Sequence, residues 1–135
     1  MLLRAKPGVV TDVSFELALI TGYVLRCWTE AGLGPFVITS LNDGAHRRGS
    51  RHYSGHAVDI RTREFWTGGW EPPFPGQHTA QMIAFVITLK NGLGPHGMHI
   101  ILHPDDDTTR PRHFPHLHLE YNPKPQQDRT LWTRE

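Results

Sequence analysis

The 135-residue chain has a single cysteine, Cys27. That excludes an intrachain disulfide and a thiolate zinc finger, and Cys27 itself sits in an apolar helical pattern that reads as a buried small residue. Long apolar runs are also missing. Only 38% of the residues are hydrophobic, and none of the runs approaches the roughly 20 residues that cross a bilayer. There is no charge of one sign to speak of: 14 Lys and Arg against 13 Asp and Glu, net +1, which excludes a basic nucleic-acid arm or an acidic tail as the main theme. The opening Met-Leu-Leu-Arg-Ala-Lys-Pro-Gly has no charged region leading into an apolar stretch and a cleavage site, so the expectation is a chain made and kept in the cytoplasm unless other machinery releases it. Repeats, a P-loop, a G-x-S-x-G elbow and a dinucleotide fingerprint are absent. Histidine, by contrast, is abundant, with ten residues. Histidine is the commonest metal ligand and a frequent acid or base, so the composition points to a site.

The length suits one domain, expected over residues 1–122, with a proline-rich tail at 123–135. Residues 1–10 read as an extended lead-in. Asp12 or Ser14 caps a helix to about Gly32, with Phe15, Leu17, Leu19, Ile20, Tyr23, Val24, Cys27 and Trp28 as its apolar stripe. Phe36–Thr39 reads as a short strand, residues 40–55 as a polar loop, and His56–Arg61 as an alternating strand. Residues 62–76, with Trp66, Trp70 and three prolines, read as an aromatic loop that could wall a cleft. A second helix is expected from about His78 to Lys90, closed by Asn91-Gly92. Met98–Leu102 and His116–Tyr121 complete the strands. The order α, β, β, α, β, β predicts an α+β fold, a small and mostly antiparallel sheet with helices packed on one face.

Two segments concentrate chemistry: Ser50-Arg-His52-Tyr-Ser-Gly55-His-Ala57-Val-Asp59, and His113-Phe-Pro-His116-Leu-His118-Leu-Glu120. Strand alternation turns Val58 and Ile60 one way and Asp59 the other, and sets His116, His118 and Glu120 opposite Leu117, Leu119 and Tyr121. An aspartate in an otherwise apolar strand calls for something cationic beside it. His52, Asp59 and His118 can together make a zinc shell with a position left open. Rival templates fit less well. His52 and His56 have the spacing of a helical H-E-x-x-H site, but Tyr53 replaces the Glu and Gly55 weakens a helix. A cupin-like set needs a histidine after His118, and none follows.

Ser50-x-His52-x-x-Gly55-x-Ala57-x-Asp59 resembles the SxHxxGxAxD signature of zinc D-Ala-D-Ala carboxypeptidases and related peptidoglycan peptidases. Their fold is shared by hedgehog domains, whose zinc segment looks like His52 to Ile60 here. His116-Leu-His118 looks like the H-x-H of the same group. The resemblance runs over about residues 35–121 in element order, and in residue identity only at the two motifs. It implies a hedgehog/DD-peptidase-like fold with one Zn²⁺ per chain on His52, Asp59 and His118. His116 would hold the oxyanion or move the proton. His113 and His46 occupy places where relatives carry histidines near the metal. Ser50 would line the substrate site, and Arg47, Arg48 or Arg51 would meet the substrate carboxylate. Pro115 stands where many relatives have an acidic base. The base is then His113, His116, or a carboxylate from Asp105–Asp107 or Glu120.

The expectation that follows is a monomeric zinc metallopeptidase hydrolysing peptidoglycan stem peptides or cross-links, a carboxypeptidase or endopeptidase of the kind phage endolysins use. Nucleic-acid and membrane partners are not expected. The rival classes are a non-catalytic zinc-binding module of the same fold and a histidine-metal nuclease, the latter disfavoured by the near-neutral charge.

Overall fold

The computed structural model describes residues 4–5, 15–41, 57–106 and 113–121. The elements are β1 (Arg4–Ala5), α1 (Phe15–Glu30), β2 (Val37–Ser40), β3 (Ala57–Arg61), a 3₁₀ turn (Arg63–Phe65), β4 (Trp66–Gly68), β5 (Gly76–His78), α2 (Ala80–Leu93), a second 3₁₀ turn (Gly94–His96), β6 (Met98–His103) and β7 (His116–Tyr121). Five strands form one sheet in the order β1-β2-β3-β7-β6. The β1–β2 pair is parallel and the other pairs are antiparallel. The fold is therefore α+β with a small, mostly antiparallel sheet and two helices, as the element order predicts. None of the described helices is long and apolar enough to cross a membrane.

Helix α1 buries Leu17, Thr21, Val24, Leu25 and Trp28, a stripe at steps of three and four that faces the sheet. The expected stripe is corrected at two places. Leu19 and Tyr23 are 60% and 51% exposed, because an arc through residues 17, 21, 24 and 28 leaves 19 and 23 on the far side. The helix stops in a Schellman turn. Gly32 takes φ +71°, Gly32 N–H reaches the Thr29 carbonyl, and Leu33 N–H reaches that of Trp28. Trp28 then anchors the core. It is fully buried, donates Nε1–H to the Gly34 carbonyl at 3.0 Å, and meets Phe36, Phe65 and Phe85 edge-on.

Helix α2 begins at Ala80, two residues later than expected. Thr79 is its cap, with Oγ1 accepting from Met82 N–H, and His78 belongs to β5. It also runs past Asn91-Gly92 to Leu93. Leu93 packs against the core one turn beyond Leu89, and that contact outweighs the local stop signal. Both helices cover the sheet face made by Val58, Ile60, Ile100, Leu102, Leu117 and Leu119.

Residues 62–76 are not an open loop. They make a 3₁₀ turn and a two-stranded hairpin, β4–β5, where Trp66, Thr67 and Gly68 pair with His78, Gln77 and Gly76. Gly68 and Gly76 let the two backbones touch. A Cβ on Gly76 would lie 2.1 Å from the Thr67 carbonyl oxygen, and Gly76 holds φ +147°. Trp66 packs edge-on against His78, and Arg63 lies over the Trp70 ring at 5.0 Å.

Candidate functional site

The sheet face away from the helices carries the chemistry. Register puts Asp59 of β3 directly beside His118 of β7, and His116 between Arg61 of β3 and His103 of β6. Asp59 is 8% exposed and His116 5%. The cationic partner that a buried aspartate requires is present: His118 Nδ1 stands 2.9 Å from Asp59 Oδ1, and His116 Nε2 is 3.7 Å from the same oxygen. On its other side, His118 Nε2 donates to Glu120 Oε1 at 3.1 Å. Burial works against a charge on His118, but the hydrogen bonds to Asp59 and Glu120 outweigh it and lift its pKa to about 9. His116 goes the other way. Burial pushes it below the ordinary histidine value, against the pull of Asp59. Its Nδ1–H donates to the Phe114 carbonyl at 2.8 Å, which turns Nε2 toward Asp59.

The expected site residues divide into two sets. Asp59, His116 and His118 are brought together, and His113 joins them through rings, 4.6 Å from His103 and 6.3 Å from His116. His46, Arg47, Arg48, Ser50, Arg51 and His52 lie outside the described residues. Two carboxylates suggested as a base are engaged elsewhere. Asp105 binds His78 through both oxygens, and Asp106 takes Lys90 Nζ at 2.7 Å and the Leu102 amide at 2.8 Å.

His103 is the site residue that sequence reasoning passed over. Its ring stacks on His116 with centroids 4.5 Å apart and planes 20° apart. Phe114, 48% exposed, covers His116 at 4.7 Å. The alternation of β6, with Met98, Ile100 and Leu102 buried, already puts His103 on the opposite face, but only the pairing with β7 sets it beside His116.

Among the described residues, no three histidine, cysteine or acidic side chains converge tightly enough to form a metal site by themselves. The donor chemistry still fits zinc at Asp59 and His118, where a carboxylate oxygen and an imidazole nitrogen, both of kinds that zinc takes, stand 2.9 Å apart.

A second polar cluster has a different role. Thr62 Oγ1, His78 and Asp105 form a hydroxyl–imidazole–carboxylate chain, 2.6 Å at Nε2 and 2.5 Å at Nδ1, the connectivity of a hydrolase triad. Thr62 and His78 are 0% and 1% exposed, so substrate has no way in. The chain instead pins the hairpin to the end of β3 and to the turn after β6. Burial lowers the His78 pKa against the pull of Asp105. The unfolded chain therefore binds this proton more readily than the folded one. The contribution to stability is whole above about pH 6.5 and is lost as pH falls below it, with a slope of at most about 1.4 kcal/mol per pH unit. Urea midpoints between pH 7.5 and 5 should fall more steeply in the native protein than in His78→Gln. Parallel curves would refute this account.

No protein-family model matches the chain, and no curated protein or solved structure matches it either.

Proposed function

We propose that the chain is a zinc-dependent peptidase of the hedgehog/DD-peptidase fold, acting on peptidoglycan stem peptides or cross-links. The observation that carries this reading is the in-register Asp59–His118 pair. A buried carboxylate meets an imidazole on the sheet face opposite the two described helices, and both belong to motifs that resemble those of the family. Asp59 and His118 hold the metal with His52 as third ligand. When bound, zinc supplies Lewis acidity, acidifying water and polarising a carbonyl.

The residues around it do the proton work. His116 has its Nδ1–H fixed on Phe114 and its Nε2 turned to the site, so it accepts a proton from the attacking water and returns it to the leaving amine. His103 and Phe114 flank the His116 ring and hold its orientation. His113 stands at the edge of the same ring cluster. Arg47, Arg48 and Ser50 receive the substrate carboxylate and peptide in this reading. Action on the wall is then by release from the cytoplasm, as phage endolysins are released.

The test is incubation of the purified chain with defined muropeptides and mass spectrometry of the products. Cleavage at one peptide bond is expected, abolished by a chelator and restored by zinc. One observation favours the non-catalytic zinc module instead: Pro115 replaces the family's acid, and Asp105 and Asp106 are engaged elsewhere. One bound zinc with no release from any wall type would establish that module and refute the peptidase.

A further inference from the structure

The carboxylate of Glu120 has no part in the family motifs, yet it meets one of the two nitrogens of His118. Glu120 follows His118 by two residues on β7, so the pleat puts both on the same face. Across the sheet, Glu120 is registered with Ala57 of β3 and His99 of β6. Ala57, its neighbour on β3, is small and fully buried. The bond from His118 Nε2–H to Glu120 Oε1, at 3.1 Å, is largely shielded, with 22% of the Glu120 side chain exposed. The other nitrogen, Nδ1, is the one facing Asp59. His118 is thus arranged as a metal-bound imidazole is arranged elsewhere, one nitrogen toward the ligand set and the other held by a carboxylate that fixes the tautomer and raises the basicity of the ligating nitrogen.

Resting on the zinc reading above, we infer that Glu120 is a positioning residue. It commits His118 to bind the metal through Nδ1 and sets the affinity of the site without touching the metal. It is thereby withdrawn from the list of candidate bases. A carboxylate engaged with the far nitrogen of a ligand is poorly aimed to take a proton from water at the metal.

The test uses the full chain and zinc alone, with a chromogenic chelator as competitor. Removal of such a partner typically weakens metal binding by about 10–100-fold, and that loss is expected for Glu120→Ala. Glu120→Gln, which keeps an acceptor but no charge, is expected between it and the native protein. The nitrogen-15 spectrum of the His118 ring in the zinc-loaded native protein should show a protonated Nε2 and a ligated Nδ1, a pattern a merely structural Glu120 would not produce. Urea midpoints of the metal-free variants identify any loss of fold, and Glu120→Gln serves if Glu120→Ala is unfolded. Zinc bound by the folded variants within twofold of the native protein, or ligation through Nε2, would overturn the inference and leave the zinc reading standing. A native protein that takes up no zinc would overturn both.

Discussion

Replacing Asp59 with alanine is expected to strip the chain of zinc and to loosen the metal-free fold at the same time. Asp59 is the common neighbour of both imidazoles, 2.9 Å from His118 Nδ1 and 3.7 Å from His116 Nε2. With Asp59 gone, the proposed ligand set keeps only neutral nitrogen donors, and the expected loss of zinc affinity exceeds the roughly 10–100-fold that removal of an outer partner costs. The stability cost comes from the charge-assisted bond to His118, about 1.5–3 kcal/mol. It stays below the roughly 3–5 kcal/mol seen when one partner of a buried pair is removed, because His118 keeps its bond to Glu120 at 3.1 Å once Asp59 is gone. Elemental analysis and urea unfolding of chelator-treated samples separate the two effects. Zinc content equal to that of the native protein would refute the metal reading outright.

His116→Gln is expected to do the reverse, keeping the metal and losing the reaction. The imidazole is buried, held at Nδ1 by the Phe114 carbonyl, and flanked by His103 and Phe114, so it is fixed in one orientation with Nε2 toward Asp59. Losing a positioned general base costs about 10²–10⁴-fold in rate. The loss should fall on kcat, with little change in KM and one zinc still bound. Glutamine fills most of the volume of the ring and limits the collapse that alanine would cause. Native turnover in folded, zinc-loaded His116→Gln would transfer the proton role to His113 or remove it from this face altogether.

The parts of this site that were legible in the sequence are those written in strict alternation. His116, His118 and Glu120 against Leu117, Leu119 and Tyr121 fixed the strand and its polar face, and Asp59 between Val58 and Ile60 marked the partner strand. Alternation says which face a residue occupies but not which residue stands beside it. His103 was passed over for that reason: its neighbour is set by the β6–β7 register. The hairpin of residues 66–78 carries no apolar period at all. Its closeness depends on two glycines whose backbones touch, and Gly and Pro in such number read equally as loop. His78 was drawn into the following helix because its role is to accept and donate across three elements, a contact that neither periodicity nor capping patterns report. Gly92 misled in the opposite direction, since Leu93 gains core contact by keeping the helix going.

Asp59 and His118 stand 59 residues apart in the chain, and only the pairing of two central strands brings them together. The unfolded chain therefore contains no version of this pair, and zinc held by it would bind the finished sheet alone. Such a metal acts as a thermodynamic clamp on the whole topology: free zinc at a hundred times its dissociation constant adds about 2.7 kcal/mol to folding. That is a sizeable share of the roughly 5–15 kcal/mol that keeps a domain folded. Metal supply would then govern how much intact protein exists as well as how fast it works.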